Sequence, residues 1–396
     1  MSTFGDPVQA RLPLGFTGSG GRLFRLALRL NLLTVLTLGI YRFWLRTKLR
    51  RHYWNATRVD GSPLEYTGTG LEKLLGFLIA MVFLAVYLTF AYVALTYLGI
   101  ALFGSTEIGS ALTTLPLVPL LFYAQYRARR YILARTRLRG IRFGQSPGAW
   151  RYVGLAILHG ISVVLTLGLL YPRAHFHLER FRTDRSFYGD TSFAQGGRWT
   201  MLLGPWMLVM LPILMSLGLL GTAQTAGEPL YLLGFVLLMP LILIAWVHYQ
   251  VASFRRLASR KTLGGVTFES HARTGTVIGI YILGWLLVAL IGSVFFAILG
   301  IVAGLVLSGT GVLTDLDPSL LSATGPLLGL VAGYVGFIVF TTALSEVFIT
   351  QPLLRHYVTT LSLRAPEALN AIRQRERDEM IEAEGFADAL DVGGAF

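Results

Sequence analysis

The chain contains no cysteine, and charged side chains make up only 14% of its 396 residues. Without cysteine, no disulfide, thiol nucleophile, cysteine-ligated zinc or iron–sulfur site can form. Soluble domains usually carry about 25% charged residues, whereas 54% of this chain is hydrophobic. So few polar side chains could not cover the surface of a soluble protein of this length. The composition therefore predicts an integral membrane protein.

Long stretches also lack lysine and arginine. None occurs in residues 74–126, 199–254 and 274–354, although the chain has 34 basic residues and a net charge of +13. Each stretch can hold two helical spans of about 20 residues and a short connection. The connections carry acidic charges, at Glu107, Glu228, Asp315 and Asp317. The pattern predicts three hairpins, with all basic loops and both termini in the cytoplasm of a multi-pass inner-membrane protein.

Two further apolar segments, 23–43 and 152–172, do not fit this pattern. If both crossed the membrane, the basic loops would fall on opposite sides. We therefore expect each to be a re-entrant or interfacial helical hairpin that enters and leaves on the cytoplasmic side. Eight ordinary spans with a weak charge bias are the alternative. The eight segments are 23–43, 74–102, 108–126, 152–172, 199–222, 229–252, 275–307 and 324–351.

Both odd segments contain Leu-Thr-Leu-Gly, at residues 36–39 and 165–168. Glycine lets the backbone turn, and the threonine hydroxyl can bond a carbonyl that the turn frees. Two copies in matching context predict an internal repeat, at about 23–143 and 152–268. Because duplicated halves also occur in transporters, the repeat favours a transport function.

Short alternating runs surround the glycine-containing turns at Gly61, Gly140, Gly189 and Gly264. They predict small β-hairpins in a thin layer on the cytoplasmic face. The predicted fold is all-α integral membrane: six transmembrane helices in three hairpins, two re-entrant or interfacial helices, and short cytoplasmic β-hairpins. Residues 1–22 form a leader and 23–364 a single membrane domain. In the cytoplasmic tail, 365–396, a helix from Pro366 to Glu382 precedes a mobile acidic end.

Polar side chains inside apolar segments are candidates for a site. Glu346 lies in the last segment, where an acid is costly and is a functional candidate by default. A bond to a neighbouring helix or basic loop is the structural alternative, as is helix–helix hydrogen bonding for the other residues. The candidate intramembrane polar site comprises Glu346, Asn31, Thr37, His159 and Thr166.

Two basic stretches are interleaved with tyrosine and tryptophan. In a membrane protein this composition indicates an aromatic belt and contacts to anionic lipids, and we expect no nucleic acid. A second copy of the chain or an unidentified protein are the other partners considered. The candidate lipid contacts are Arg42, Arg46, Arg50, Arg51, Arg129 and Arg130.

No motif for a phosphate-binding loop, a nucleophile elbow or a metalloprotease helix is present. His175 and His177 would share one face of a strand, and Glu179 could add a third ligand. We interpret this segment as a solvated basic loop, and we expect no metal, cofactor or catalytic residue.

Several segments carry a resemblance to a known family. They are Asn31–Trp44, Asp60–Gly68, Leu165–Gly168, Phe187–Asp190 and the tail Glu384–Asp391. In these segments the chain resembles the YjgN family of bacterial inner-membrane proteins over nearly its whole length. The resemblance implies an inner-membrane location, and it implies no reaction and no catalytic residues.

The sequence thus favours a non-enzymatic, transporter- or channel-like protein for a small solute or lipid. A membrane enzyme acting on an anionic lipid headgroup is one alternative. It would require a convergent acid–base set at the interface, and no such set can be assembled from the sequence. A structural or accessory subunit whose basic face docks a partner is the other.

Overall fold

The computed structural model describes residues 11–227, 230–309 and 324–375. The helices are α1 (Gly20–Leu36), α2 (Arg42–Ala56), α3 (Gly70–Phe103), α4 (Thr106–Leu112), α5 (Leu117–Ala134), α6 (Ala149–Leu165), α7 (Tyr171–Asp184), α8 (Leu203–Ala226), α9 (Leu230–Ala258), α10 (Thr274–Gly309), α11 (Thr324–Ser345) and α12 (Gln351–Thr359). A π-helical turn, Glu346–Thr350, joins α11 to α12.

Six helical segments in these residues are long and apolar enough to cross a membrane, as the sequence predicts. Their large apolar side chains are widely exposed, which suits contact with lipid rather than water. The segments 23–43 and 152–172 are not among the six, because each is divided into two shorter helices. The six are Gly70–Phe103, Thr106–Ala134, Trp199–Ala226, Leu230–Ala258, Thr274–Val302 and Val331–Thr359.

The two short helical hairpins, α1–α2 and α6–α7, turn at their Leu-Thr-Leu-Gly sequences. Leu38 and Gly39 have φ of 51° and 91°, and Leu167 and Gly168 have φ of 50° and 90°. The Thr37 hydroxyl donates to the Leu33 carbonyl at 2.8 Å. It also accepts, at 2.9 Å, from the backbone N–H of Tyr41, the residue before α2. The same pair of bonds recurs in the second turn. The glycines therefore turn the backbone as expected, whereas each threonine hydroxyl shares a carbonyl that its own backbone amide already bonds, at Leu33 and Ser162, and is not paired with a carbonyl freed by the turn.

The short strands are β1 (Arg11–Pro13), β2 (Gly15–Phe16), β3 (Thr57–Val59), β4 (Ser62–Tyr66), β5 (Thr136–Leu138), β6 (Ile141–Gln145), β7 (Ser186–Tyr188), β8 (Thr191–Gln195), β9 (Lys261–Leu263), β10 (Val266–Ser270) and β11 (Leu361–Arg364). All four predicted β-hairpins are present, as β3–β4, β5–β6, β7–β8 and β9–β10. The expectation of an all-α fold with only short, separate β-hairpins is wrong, because the hairpins join into one antiparallel sheet of 11 strands.

Neighbouring hairpins are joined by the same backbone bond at each junction. The residue that follows the second strand of one hairpin donates its backbone N–H. The acceptor is the backbone carbonyl of a residue at the end of the next helix. At one end of the sheet β1 pairs with β11, and at the other β2 pairs with β3. Since Leu14 alone separates β1 from β2, the sheet forms a nearly closed ring. The equivalent bonds are Thr17 to Ala56, Thr67 to Arg135, Ser146 to Arg185, Gly196 to Arg260 and His271 to Thr360, all 2.8–2.9 Å.

The inside of the ring is apolar where the hairpins turn. One buried residue comes from the last or next-to-last position of each leading strand, and a leucine or phenylalanine from the returning chain packs against it. Because every hairpin contributes to a single cluster, burial holds the ring together. The leading-strand residues are Val59, Leu138, Tyr188, Leu263 and Leu363, and the residues that pack against them are Leu64, Phe143, Phe193, Phe268 and, between β1 and β2, Leu14.

The segment after β11 lies across the hairpin turns. A 3₁₀ helix, Pro366–Ala371, buries Leu369 in the apolar cluster of the ring. Arg139, in the β5–β6 turn, donates to Asn370 at 2.9 Å. In the described part of the helix expected from Pro366 to Glu382, a 3₁₀ helix ends at Ala371, and residues 376–396, with the acidic end, lie outside the described residues.

Helical and β-hairpins alternate around the ring to give five similar units. The short hairpins α1–α2 and α6–α7 are each followed by a long one, α3–α5 and α8–α9. Each of the two sequence copies, 23–143 and 152–268, contains one short and one long hairpin. The hairpin of α10 with α11 and α12 has no counterpart in the predicted repeat, and the strand at its end, β11, pairs with β1.

Candidate functional site: a buried ion cluster

A cluster of ionic side chains lies where three units of the ring meet. Helix α7 presents Glu179, Arg182 and Thr183 on one face, because residues three and four apart are neighbours on a helix. Arg129 comes from α5, and Lys261 is the first residue of β9. Three separate elements therefore fix the positions of the charged groups.

Glu179 is the centre of the cluster. Its Oε1 accepts from the Lys261 ammonium at 2.7 Å and from the Thr183 hydroxyl at 3.3 Å. Its Oε2 lies 2.8 Å from the Arg182 guanidinium and 3.8 Å from the Arg129 guanidinium. One carboxylate thus faces three cations, and the cluster carries an excess of positive charge.

Burial alone would keep Glu179, which is 8% exposed, in its neutral form. Lys261, Arg129 and Arg182 reverse that effect and hold the pKa of this carboxyl well below its usual range. Glu179 is therefore ionised at neutral pH. Within residues 11–227, 230–309 and 324–375, it is the one carboxylate that pairs with these three cations.

Two guanidinium donors in the cluster make no hydrogen bond. The Nε atoms of Arg129 and Arg182 are both buried without a partner in the part of the chain that the structure describes. A buried donor of a charged group is costly to leave unsatisfied. The cluster therefore has both unused donors and uncompensated positive charge. A bound anion would accept from these donors and balance this charge.

An aromatic group adjoins the cluster one turn earlier on α7. The Nδ1 of His175 lies 2.8 Å from the Tyr249 hydroxyl, and the Tyr249 ring packs against Tyr171, Trp206 and Trp246. Burial lowers the pKa of His175 to about 4, so the imidazole is neutral at pH 7. The cations of the cluster thus face a neutral, apolar neighbour on this side.

The two histidines of the His-x-His pair lie on α7, and not on a strand. Residues two apart on a helix point to different sides. Accordingly His175 contacts Tyr249, whereas the His177 ring stacks on His159 at 5.1 Å between centroids. No group of three potential metal ligands occurs in the described residues.

The five residues of the candidate intramembrane polar site are distributed over two hairpins and the last span. Glu346 accepts a short hydrogen bond from the Tyr53 hydroxyl of α2. Thr37 and Thr166 stabilise the two hairpin turns. His159 is buried in α6, and Asn31 is half-buried in α1.

The candidate lipid contacts differ in their surroundings. Arg42 and Arg51 are exposed on α2, and Arg51 also donates to the Tyr66 and Gly68 carbonyls at 3.3 and 3.2 Å. Arg46, Arg50 and Arg130 are half-buried, and Arg50 reaches the Tyr66 hydroxyl at 3.5 Å. Arg129 faces Glu179 in the ion cluster.

Sequence reasoning considered Glu179 as a metal ligand and did not find the cluster. The available signal was an acid within a basic helix, with Arg182 and Thr183 at the spacing of one helical face. Arg129 and Lys261 lie 50 and 82 residues from Glu179 in the chain. Their proximity depends on the ring, which the sequence does not reveal.

Six apolar helical segments joined through a ring of short strands define a polytopic membrane protein. The chain belongs to the DUF898 family of bacterial proteins of unknown function, whose family model matches residues 11–389. The family resemblance drawn from the sequence is confirmed by curated relatives. Inner membrane protein YjgN of Salmonella typhimurium is 28% identical over 161 residues, which cover 40% of this chain and 38% of the relative.

Inner membrane protein YjgN of Escherichia coli K12 is 33% identical over 131 residues, covering 32% of this chain and 29% of the relative. The chain spans less than two fifths of the length of these curated relatives. No solved structure matches the chain. It is therefore a polytopic inner membrane protein of a family whose function is unknown.

Proposed function

We propose that the protein is a transporter- or channel-like membrane protein for a small anionic solute. The observation that carries the proposal is the excess of positive charge around Glu179, where three cations face one carboxylate. A buried charge must be paired, because its desolvation costs several kcal/mol. A bound anion would supply the missing negative charge and accept from the free Nε atoms of Arg129 and Arg182.

The setting of the cluster supports movement of a solute rather than static storage. Glu179 and Arg182 lie on a short hairpin whose turn exposes large apolar side chains, with Leu167 83% exposed. Helix α6 has 17 residues and rises about 25 Å, less than the roughly 30 Å of a hydrocarbon core. We take α6–α7, and likewise α1–α2, to be re-entrant. Helices interrupted inside the membrane form solute sites in many transporters.

The proposed orientation places the β-ring in the cytoplasm. Basic residues concentrate in the ring and in the helix ends next to it, whereas the far ends of the long hairpins lack them. The positive-inside rule then puts the ring and both termini on the cytoplasmic side. The exposed Arg42 and Arg51 would contact anionic lipids there. Glu346, Asn31, Thr37, His159 and Thr166 would lie at membrane depth.

Orientation can be measured with single cysteines, since the chain has none of its own. Ala226→Cys lies at the far end of α8, and Ser192→Cys lies exposed on β8. A membrane-impermeant maleimide should label Ala226→Cys in intact cells and Ser192→Cys only after permeabilisation. Leu38→Cys, at the first short turn, should resist the reagent in both conditions. Labelling of Ser192→Cys in intact cells would refute this orientation.

Transport can be measured in vesicles that contain the purified protein and a gradient of chloride, phosphate or sulfate. We expect at least one gradient to dissipate, and Lys261→Gln to slow its flux about tenfold because one charge-assisted bond is lost. Arg180→Gln is the matched control, because Arg180 is a 53% exposed cation on the same helix. Equal flux in Lys261→Gln and Arg180→Gln, or no flux of any of the three anions, would refute the proposal.

A further inference from the structure

A cavity with basic side chains lies on the outer side of the ring, apart from the ion cluster. Its volume is about 550 Å³, within the range of about 300–1,000 Å³ that is usual for small-molecule sites. It lies where the two ends of the described chain meet, between β1, β11 and the helices α10 and α12. Arg11, His271, Arg273 and His356 line it, together with the hydroxyls of Thr276 and Ser362.

Two arginines, two histidines and four hydroxyl side chains line the cavity, together with Pro13. No acid lines it among the described residues. The carboxylate of Glu269 lies 3.6 Å from Arg11 and 3.5 Å from His271, and it also accepts from Arg364 at 2.8 Å. Glu269 is therefore shared among several cations, and Arg273 is left without a carboxylate partner in this group. The cavity as a whole favours an anion.

A backbone hydrogen bond fixes which nitrogen of His356 carries the proton. The Nε2 of His356 accepts the backbone N–H of Arg273 at 3.1 Å, so the proton of the neutral ring must be on Nδ1. The His271 backbone amide is fixed in turn by the Thr360 carbonyl at 2.8 Å. These two bonds join the start of α10 to the end of α12 and fix the walls of the cavity.

The position of the cavity in the membrane restricts the ligand. Arg273 directly precedes the span Thr274–Val302, and Thr359, another lining residue, ends the span Val331–Thr359. The cavity therefore lies at the level where two spans leave the hydrocarbon, which is the level of lipid headgroups. Two guanidinium groups with neighbouring hydroxyls match the planar, multidentate recognition of phosphate.

We propose that this cavity is a phosphate-binding site, filled by the phosphate of an anionic lipid headgroup or by free phosphate. The proposal goes beyond transport and does not depend on it, since the cavity shares no residue with the Glu179 cluster. In the lipid case the site would tether the seam between β1 and β11 to the bilayer.

The test uses the full chain, purified in neutral detergent, with binding followed by native mass spectrometry. The probes are phosphatidylglycerol, phosphatidylcholine and inorganic phosphate. Arg11→Gln with Arg273→Gln should weaken binding of the active probe about tenfold or more, because two charge-assisted contacts are lost. Arg355→Gln, an exposed arginine of α12 outside the cavity, should bind like the parent protein. Both changed arginines are exposed, and thermal melting would verify that the variants fold.

The two sources of phosphate give different results. Retention of phosphatidylglycerol over phosphatidylcholine, undiminished by millimolar phosphate, assigns the site to a lipid headgroup. Binding of inorganic phosphate that competes with the lipid assigns it to free phosphate. The proposal is wrong if the double variant binds every probe as the parent does, or if Arg355→Gln loses as much. Anion flux through the ion cluster should be unchanged in the double variant, so either proposal can fail alone.

Discussion

The two short helical hairpins share a turn but differ in what their helices carry. In both, a threonine bonds the backbone across the turn, and the following leucine and glycine have nearly the same positive φ. The body of α1–α2 contributes the Tyr53 hydroxyl, which donates a hydrogen bond to Glu346. The body of α6–α7 contributes an ionised carboxylate, Glu179, and one cation, Arg182, to a cluster whose other two cations come from α5 and β9. The shared turn thus has a structural role, and of the two hairpins only α6–α7 takes part in the ion cluster.

Equivalent positions in the units carry different charges. Seven residues before the leading strand, the helices of the first three units carry Arg50, Arg129 and Glu179. Arg50 lies over the Tyr66 ring at 5.4 Å, a contact that needs no acid. A carboxylate in the third unit attracts the arginine of the second and the lysine of the fourth. The cluster therefore forms at the unit that carries an acid at this position.

The largest difference in unfolding free energy should appear when Glu179 and Glu346 are each replaced by a neutral glutamine. Glu179→Gln leaves three cations without a buried counter-charge, and breaking such a pair costs about 3–5 kcal/mol. Glu346→Gln still accepts from Tyr53 and should cost about 1 kcal/mol. Denaturant unfolding in detergent micelles gives both values. Equal losses would show that the two hairpins are not electrostatically different.

Lowering the pH should reduce the stability of the folded protein through His175, in the second short hairpin. Its pKa is lowered to about 4 in the folded protein, so its contribution is complete above the ordinary value of 6.5 and is lost as pH falls towards 4. The effect should be about 2 kcal/mol between pH 7 and 4.5.

Thermal melting across this range should show a smaller acid loss in His175→Gln than in the parent protein. His271→Gln, at a 61% exposed position, is the control and should follow the parent. If His175→Gln and His271→Gln melt alike at both pH values, burial of His175 does not contribute to acid sensitivity.

Much of the fold was predictable from composition and spacing. Stretches without lysine or arginine locate six spans, because the bilayer penalises charge over a fixed length. The Leu-Thr-Leu-Gly turns and the four β-hairpins follow from local backbone preferences at glycine. These features are all encoded within a few residues of one another.

The ring and the ion cluster were not predictable in the same way. Pairing of Leu12 with Leu363 joins residues far apart in the chain, and no local pattern specifies it. The strands have two to five residues, too few for a distinct period. Glu179 could have been noticed, but its partners Arg129 and Lys261 meet it only after the ring has formed.

The shared turn offers a test in which the hairpins should respond alike. Gly39→Ala and Gly168→Ala each force a side chain into a left-handed conformation, which costs about 1–2 kcal/mol. The space around each glycine is open, with Met210 3.7 Å from the added carbon at Gly168, so backbone strain should dominate. Similar losses of unfolding free energy are expected. A loss confined to one hairpin would show that the turns are not equivalent. Gly154→Ala, in open space within α6, is a control that should be neutral or slightly stabilising.

The smallest effect should come from the threonine hydroxyls. Thr37→Val removes the acceptor of the Tyr41 amide, and Thr166→Val removes the acceptor of the Leu170 amide. Each loss should cost about 1 kcal/mol, because valine keeps the shape and leaves one donor unsatisfied.

The same two variants should differ in their rate of anion flux. If the ion cluster depends on the geometry of α7, Thr166→Val should slow flux more than Thr37→Val at equal stability. Equal flux in the two variants would mean that the turn of the second hairpin does not position Glu179, and that Arg129 and Lys261 hold it in place without help from the turn.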